Sequence, residues 1–181
     1  MTLELLKKVI QKIENPKLRT LAGVPLRNPR FLAGYGARKH HHAYLGGLLV
    51  HTSEVVNTCL KVIDGGVPLR YDILITAAFW HDYLKIRDYS QTQEDSPILA
   101  TKFHQEIYHI TGGAMEFYHQ ATLLGIEPWI VEDVVHCLLA HHGRPEWGSP
   151  VTPQTPEALT LHYADCMSAW FESGKYTEKS I

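Results

Sequence analysis

From Leu3 to Phe171 the apolar residues of this chain recur at three- and four-residue intervals, and no useful stretch alternates apolar with polar residues. That period puts residues i, i+3, i+4 and i+7 on one helix face, so the expected fold class is all-α. Helices are predicted over about Leu3 to Ile13, Lys17 to Leu21, Tyr44 to Ile63, and Leu69 to Trp80, the last running on at least to Tyr83. A Pro-, Gly- and Arg-rich loop reaches His42, and a polar loop spans Arg87 to Asp95. A long fifth helix is predicted from Pro97 to Leu124, a sixth from Pro128 to Gly143, and a seventh from Thr155-Pro156 to about Phe171. The stops are Asn15-Pro16, Asp64-Gly65-Gly66, Gly125 and Gly143; such residues end helices or adopt the left-handed cap.

At 181 residues the chain has the size of one ordinary domain, and it is long enough to bury a core without disulfides. The net charge of -2 excludes a general nucleic-acid-binding surface. An anionic substrate would have to be held by a local positive site. Cys59, Cys137 and Cys166 form no CxxC pair and sit in apolar helical patterns. They read as buried reduced thiols and suit a cytoplasmic protein. The amphipathic N-terminus lacks the apolar core of a signal peptide, and no apolar run is long enough for a membrane span.

Histidine is over-represented, with 12 residues, several of them clustered: His40-His41-His42, His81-Asp82 and His141-His142. On its helix His81 shares a face with Leu74, Ala77 and Ala78; Asp82 with Ile75 and Ala78; His51 with Gly47, Leu48 and Val55; and Asp165 with Ala158, Leu161 and Ala169. A single histidine on an apolar face is more often bonded to a carbonyl in the core. Four metal-capable groups on inward faces of three helices are a different matter, because buried carboxylates and imidazoles are costly without a partner. Mixed imidazole and carboxylate donors suit Mn or Fe, with Ni, Co or Zn as alternatives.

The order His51, His81-Asp82, Asp165, with Lys85 completing HDxxK, resembles the HD-domain phosphohydrolase superfamily. The segments HHAYLGGLLVHT (41–52), HHGRPEWGSP (141–150) and TPEALTLHYADCMSAW (155–170) narrow the resemblance. They look like the HD domain of bacterial 3'-5' exoribonucleases that join an OB-fold to an HD domain. The resemblance implies one HD domain over 1–181, its core at about 41–171 behind a helical extension at 1–40, too short for an OB-fold. It further implies one or two divalent transition-metal ions per chain. His51, His81, Asp82 and Asp165 would hold the first; Asp82 would bridge to a second on His109 and His141. Spacing leaves His141 and His142 both open, with His141 preferred. Tyr83-Leu84 replaces the usual apolar-Gly pair within HDxxK; an HDY start also occurs in HD-domain dinucleoside tetraphosphate hydrolases.

The implied chemistry is attack of a metal-activated water on phosphorus, with Asp82 and Lys85 as the catalytic pair. Lys85 lies one turn past His81, and Lys39, His42 and Arg144 are candidate phosphate contacts. Tyr83 and Trp147 are candidates for stacking on a base. The expected substrate is a nucleotide or short oligonucleotide, with no membrane partner and no long nucleic acid. Two other readings stand beside this one: a di-iron oxygenase with the same ligand shell, and a nucleotide-sensing module without turnover.

Overall fold

The structure, a computed structural model, describes residues 1–38, 42–91 and 96–172. Helix α1 (Leu3–Gln11) is capped by Thr2, whose Oγ1 accepts from the Leu5 N–H at 3.3 Å, and it buries Leu6, Val9 and Ile10. Helix α2 (Pro16–Ala22) starts on Asn15, whose side-chain oxygen accepts from Lys17 and Leu18. The region expected to be loop then makes two single-turn helices, α3 (Val24–Arg27) and α4 (Pro29–Leu32). Pro25 and Pro29 sit in their first turns, where a missing N–H costs nothing.

The bundle follows: α5 (Gly47–Asp64), α6 (Tyr71–Trp80), α7 (Lys85–Asp88), α8 (Lys102–Glu106), α9 (His109–Leu123), α10 (Pro128–Ala140) and α11 (Pro156–Glu172). Helix α6 is the central rod. Every residue from Ile73 to Trp80 is buried, and α2, α5, α10 and α11 pack around it. A helix apolar on all sides belongs inside. Trp80 donates its indole N–H to the Leu21 carbonyl at 2.8 Å, joining this rod to the N-terminal helices. The all-α class therefore holds; β1 (Tyr89–Ser90) and β2 (Leu99–Ala100) add only a two-residue antiparallel pairing.

The long helix expected from Pro97 to Leu124 is corrected: residues 99–100 pair with β1, α8 is short, and α9 starts only at His109. Thr101 makes the difference. Its N–H donates to the Asp88 carbonyl at 2.9 Å, its hydroxyl to the Arg87 carbonyl at 2.6 Å, and its Oγ1 caps α8 at His104. These long-range bonds outweigh a local period that runs unbroken through Phe103 and Ile107.

The N-terminal end of α6 is tied to α10 and α11 through Arg70. Its guanidinium forks onto the Glu157 carboxylate (Nε 3.1 Å, Nη2 2.9 Å) and also bonds Asp133, while its backbone N–H adds a third bond to Glu157 at 2.9 Å. Glu157 is 3% exposed, so removing the guanidinium strands a buried charge. Arg70→Ala is expected to cost about 2 kcal/mol, lowering Tm by roughly 4–8 °C, as calorimetry would show. Burial opposes the Glu157 charge, but Arg70 outweighs it and holds the pKa below the ordinary value. The contribution is thus present at neutral pH and is lost as pH falls through and below the carboxylate range.

Candidate metal centre

The candidate ligands come together from five elements at one end of α6. His51 is mid-way along α5; His81 and Asp82 form the tight turn after α6; His109 opens α9; His141 and His142 follow α10; Asp165 is on α11. After Trp80 the chain keeps turning through Tyr83 N–H to Trp80 O (3.0 Å) and Lys85 N–H to Asp82 O (2.9 Å). This turn brings Lys85 round onto Asp82: Nζ lies 2.6 Å from Oδ2.

The ring nitrogens share one pattern. His81 Nδ1 is 2.9 Å from the Ala78 carbonyl, His141 Nδ1 2.7 Å from Leu138 O, and His142 Nδ1 2.8 Å from Trp147 O. A carbonyl only accepts, so in each case Nδ1 carries the proton. Ser168 donates its hydroxyl to Glu54 Oε2 at 2.7 Å and thus accepts from His51 Nδ1 at 2.9 Å. His109 Nδ1 donates to buried Asp88 Oδ2 at 2.7 Å. All five imidazoles therefore turn Nε2 away from these acceptors, as metal-ligating histidines do.

Those inner nitrogens meet carboxylates. His51 Nε2 is 3.0 Å from Asp165 Oδ1, 3.2 Å from Asp82 Oδ2 and 3.1 Å from His81 Nε2. His109 Nε2 and His141 Nε2 are 3.3 Å and 3.7 Å from the other Asp82 oxygen, Oδ1. Asp82 Oδ1, His109 Nε2 and His141 Nε2 are buried with no hydrogen bond among the described residues. Lone pairs facing one another in a dry site call for a cation. The donors group as His51, His81 and Asp165 on one side and Asp82, His109, His141 and His142 on the other, each set spanning less than 4.8 Å. The residues present fit transition-metal ions.

Electrostatics agree. Burial disfavours a charged His51, yet Asp165 and Asp82 outweigh burial and raise its pKa to about 9. Burial drives His81 down to about 4 and His142 down to about 3, so both imidazoles are neutral donors at pH 7. Asp82 and Asp165 are held far below the carboxylate range: burial works against them, but Lys85 and the histidines prevail at Asp82, and His51 at Asp165.

A cavity of about 460 Å³ opens over this cluster, walled in part by Lys85, Tyr89, Tyr108, His142, Trp147 and Asp165. The residues proposed from sequence as phosphate contacts are placed differently. Lys39 lies outside the described residues. His42 is 1% exposed, sits 3.2 Å from Glu54 Oε2 and is not among the cavity-lining residues. Arg144 is exposed, its guanidinium 5.2 Å from the Trp147 ring that lines the cavity. Tyr83 is core, accepting from Asn28 Nδ2 at 2.9 Å and packed on Trp80. Of the three cysteines, all free, Cys59 and Cys137 are buried as expected; Cys166 is corrected to half-buried, in the cavity wall.

Asp88, Ser168 and Glu54 were not singled out from sequence. Each lies three residues from one that was, Asp88 from Lys85, Ser168 from Asp165 and Glu54 from His51, but that spacing does not tell which distant side chain it bonds.

Comparison with known proteins identifies the family. The family model for the HD domain matches residues 48–170. The chain belongs to the HD-domain family. Every proposed ligand from His51 to Asp165, and Lys85, falls inside the matched span of the HD domain. Similar curated proteins include the 3'-5' exoribonuclease YhaM of Bacillus licheniformis, 29% identical over 94% of this chain and 57% of that protein. The YhaM of Shouchella clausii is 31% identical over 88% and 50%, and that of Bacillus subtilis 28% over 94% and 57%. The HD-domain chain thus spans about half the length of the curated relatives it matches. No solved structure matches it. The match bears out the expected family, the HD domain. No helix among the described residues is long and apolar enough to cross a membrane.

Proposed function

We propose that this domain hydrolyses a phosphate ester of a nucleotide or short oligonucleotide, with His51, His81, Asp82 and Asp165 holding one divalent ion and Asp82, His109 and His141 a second. One observation carries this reading: the two oxygens of Asp82 face different sets of imidazoles, Oδ2 toward His51 and His81, Oδ1 toward His109 and His141. A carboxylate divided in this way is suited to joining two ions. Such ions, when bound, would neutralise phosphate charge and lower the pKa of a water. Manganese or iron suits the donor set best. The relatives named as exoribonucleases support a nucleotide ester as the substrate.

The chain's own residues do the rest. Lys85 is only 10% exposed, and although burial disfavours its charge, Asp82 raises its pKa further above the ordinary value. It stays an ammonium and presents a fixed positive charge to a phosphate oxygen entering the cavity. Asp88, the Ser168–Glu54 pair and the carbonyls of Ala78, Leu138 and Trp147 hold the imidazoles in one tautomer and orientation. The aromatic side chains of the cavity wall offer faces to a base. A reducing cytoplasm fits the three free cysteines.

Domain charge and cavity size point to short substrates. With a net charge of -2 and a cavity of about 460 Å³, this domain offers a strand little grip beyond its terminal units. In a length series of single-stranded RNA with Mn present, mononucleotides, dinucleotides and short oligonucleotides are expected to turn over, with little processivity on long RNA. Rates that climb steeply with length, with processive decay, would overturn the short-substrate assignment. No turnover of any phosphate ester by Mn-loaded protein would overturn the hydrolase itself.

A further inference from the structure

The break between α8 and α9 places a tyrosine where a helix would have turned it away. Tyr108 has φ 69° and ψ 149°; it and His42 are the non-glycine residues at positive φ among those described. A bulky side chain in that region is strained, and the strain persists only where the surroundings hold it. They do so here. The Tyr108 N–H donates to the Phe103 carbonyl at 2.9 Å, and its own carbonyl accepts from Gly112 at 2.9 Å. Its ring packs against His109 with centroids 4.2 Å apart, against His104 at 5.1 Å and against His142 at 6.2 Å.

On a continuous helix, residues 108 and 109 would point about 100° apart. The strained link instead lets Tyr108 line the cavity while His109 reaches Asp82. Packing alone would need only a phenyl ring. The hydroxyl has no hydrogen-bond partner among the described residues, although the residue is half-buried. Tyr71, Tyr83 and Tyr35, which lie away from the cavity wall, each have one: Tyr71 donates to Val9 O at 3.0 Å, Tyr83 accepts from Asn28, and Tyr35 bonds Gln91. Tyr89, on the same cavity wall as Tyr108, has none among the described residues either. Tyr108 and Lys85 line the same cavity, so the hydroxyl and the ammonium that would receive an anion face one space. A phenol O–H is a hydrogen-bond donor. A half-buried donor next to an anion site is completed by the anion itself.

Resting on the phosphoester reading above, we propose that the Tyr108 hydroxyl is a direct substrate contact, donating a hydrogen bond to a non-bridging oxygen of the phosphate bound beside Lys85.

The test is Tyr108→Phe in the full chain, which keeps the ring and its packing. Tm and metal content are expected to match the wild type. The Kd for inorganic phosphate, measured by calorimetry on Mn-loaded protein, is expected to rise roughly 10-fold, the effect of losing a bond to a charged group, with a similar fall in kcat/KM. Phosphate affinity and kcat/KM both equal to wild type would overturn the contact and leave Tyr108 a packing residue. A fall in Tm or metal content that accounts for the lost activity would overturn it equally. Wild-type protein that neither turns over a phosphate ester nor binds phosphate would instead overturn the hydrolase reading, and the contact with it.

Discussion

Asp82→Ala is expected to abolish metal binding and turnover together. The side chain removed is the one whose two oxygens serve both halves of the cluster, with Oδ2 near His51 and His81 and Oδ1 near His109 and His141. It is also the counter-charge of Lys85, 2.6 Å away. Charge stabilisation by bound ions supplies several kcal/mol to phosphoryl chemistry, so kcat/KM should fall by about 10³-fold or more. Metal analysis of the purified variant should show the ions lost. Full metal content with full turnover would remove Asp82 from the site. Asp165→Asn should be nearly as severe, because an amide is a poor ligand and His51 Nε2, 3.0 Å away, loses its nearest carboxylate.

The second large effect concerns metal number. His109→Ala or His141→Ala should leave about one ion per chain and cost roughly 10²-fold or more in rate, several kcal/mol of charge stabilisation being withdrawn from one side of the phosphate. His109→Ala should be the harsher of the two. It also takes from Asp88 the N–H that its buried carboxylate holds at 2.7 Å, leaving His104 as the remaining neighbour at 3.1 Å. Two ions retained in both variants would show the second site to be misplaced. His142→Ala is expected to matter less, since that imidazole is less buried than its neighbour. Its Nδ1 is nonetheless fixed by Trp147 O, and it shares the cluster with Asp82, His109 and His141. A loss equal to that of His141→Ala would make all three imidazoles ligands.

Much of this protein was legible in the order of its residues. The three- and four-residue spacing of apolar side chains decided an all-α fold, because burial of one stripe per helix is a local demand that each segment states for itself. The same spacing turned His51, His81, Asp82 and Asp165 inward, and the longer segments around His41, His141 and Asp165 identified the family. Local pattern failed where distant bonds decide. Nothing between Pro97 and Leu124 announces that Thr101 will bond to Arg87 and Asp88, so the break that sets His109 and Tyr108 at the cavity was invisible. His42 reads as a loop residue free to meet phosphate, yet it is buried against Glu54. His141 and His142 follow the same stripe, and only the carbonyls of Leu138 and Trp147 show that both rings turn toward one cluster. The partners Asp88, Ser168 and Glu54 came from tertiary structure for the same reason. A side chain that orients another across 21, 117 or 114 residues of chain leaves no trace in a local period. Helix faces are set by neighbours in sequence, whereas the direction of a ring nitrogen is set by whatever the fold brings within hydrogen-bonding distance.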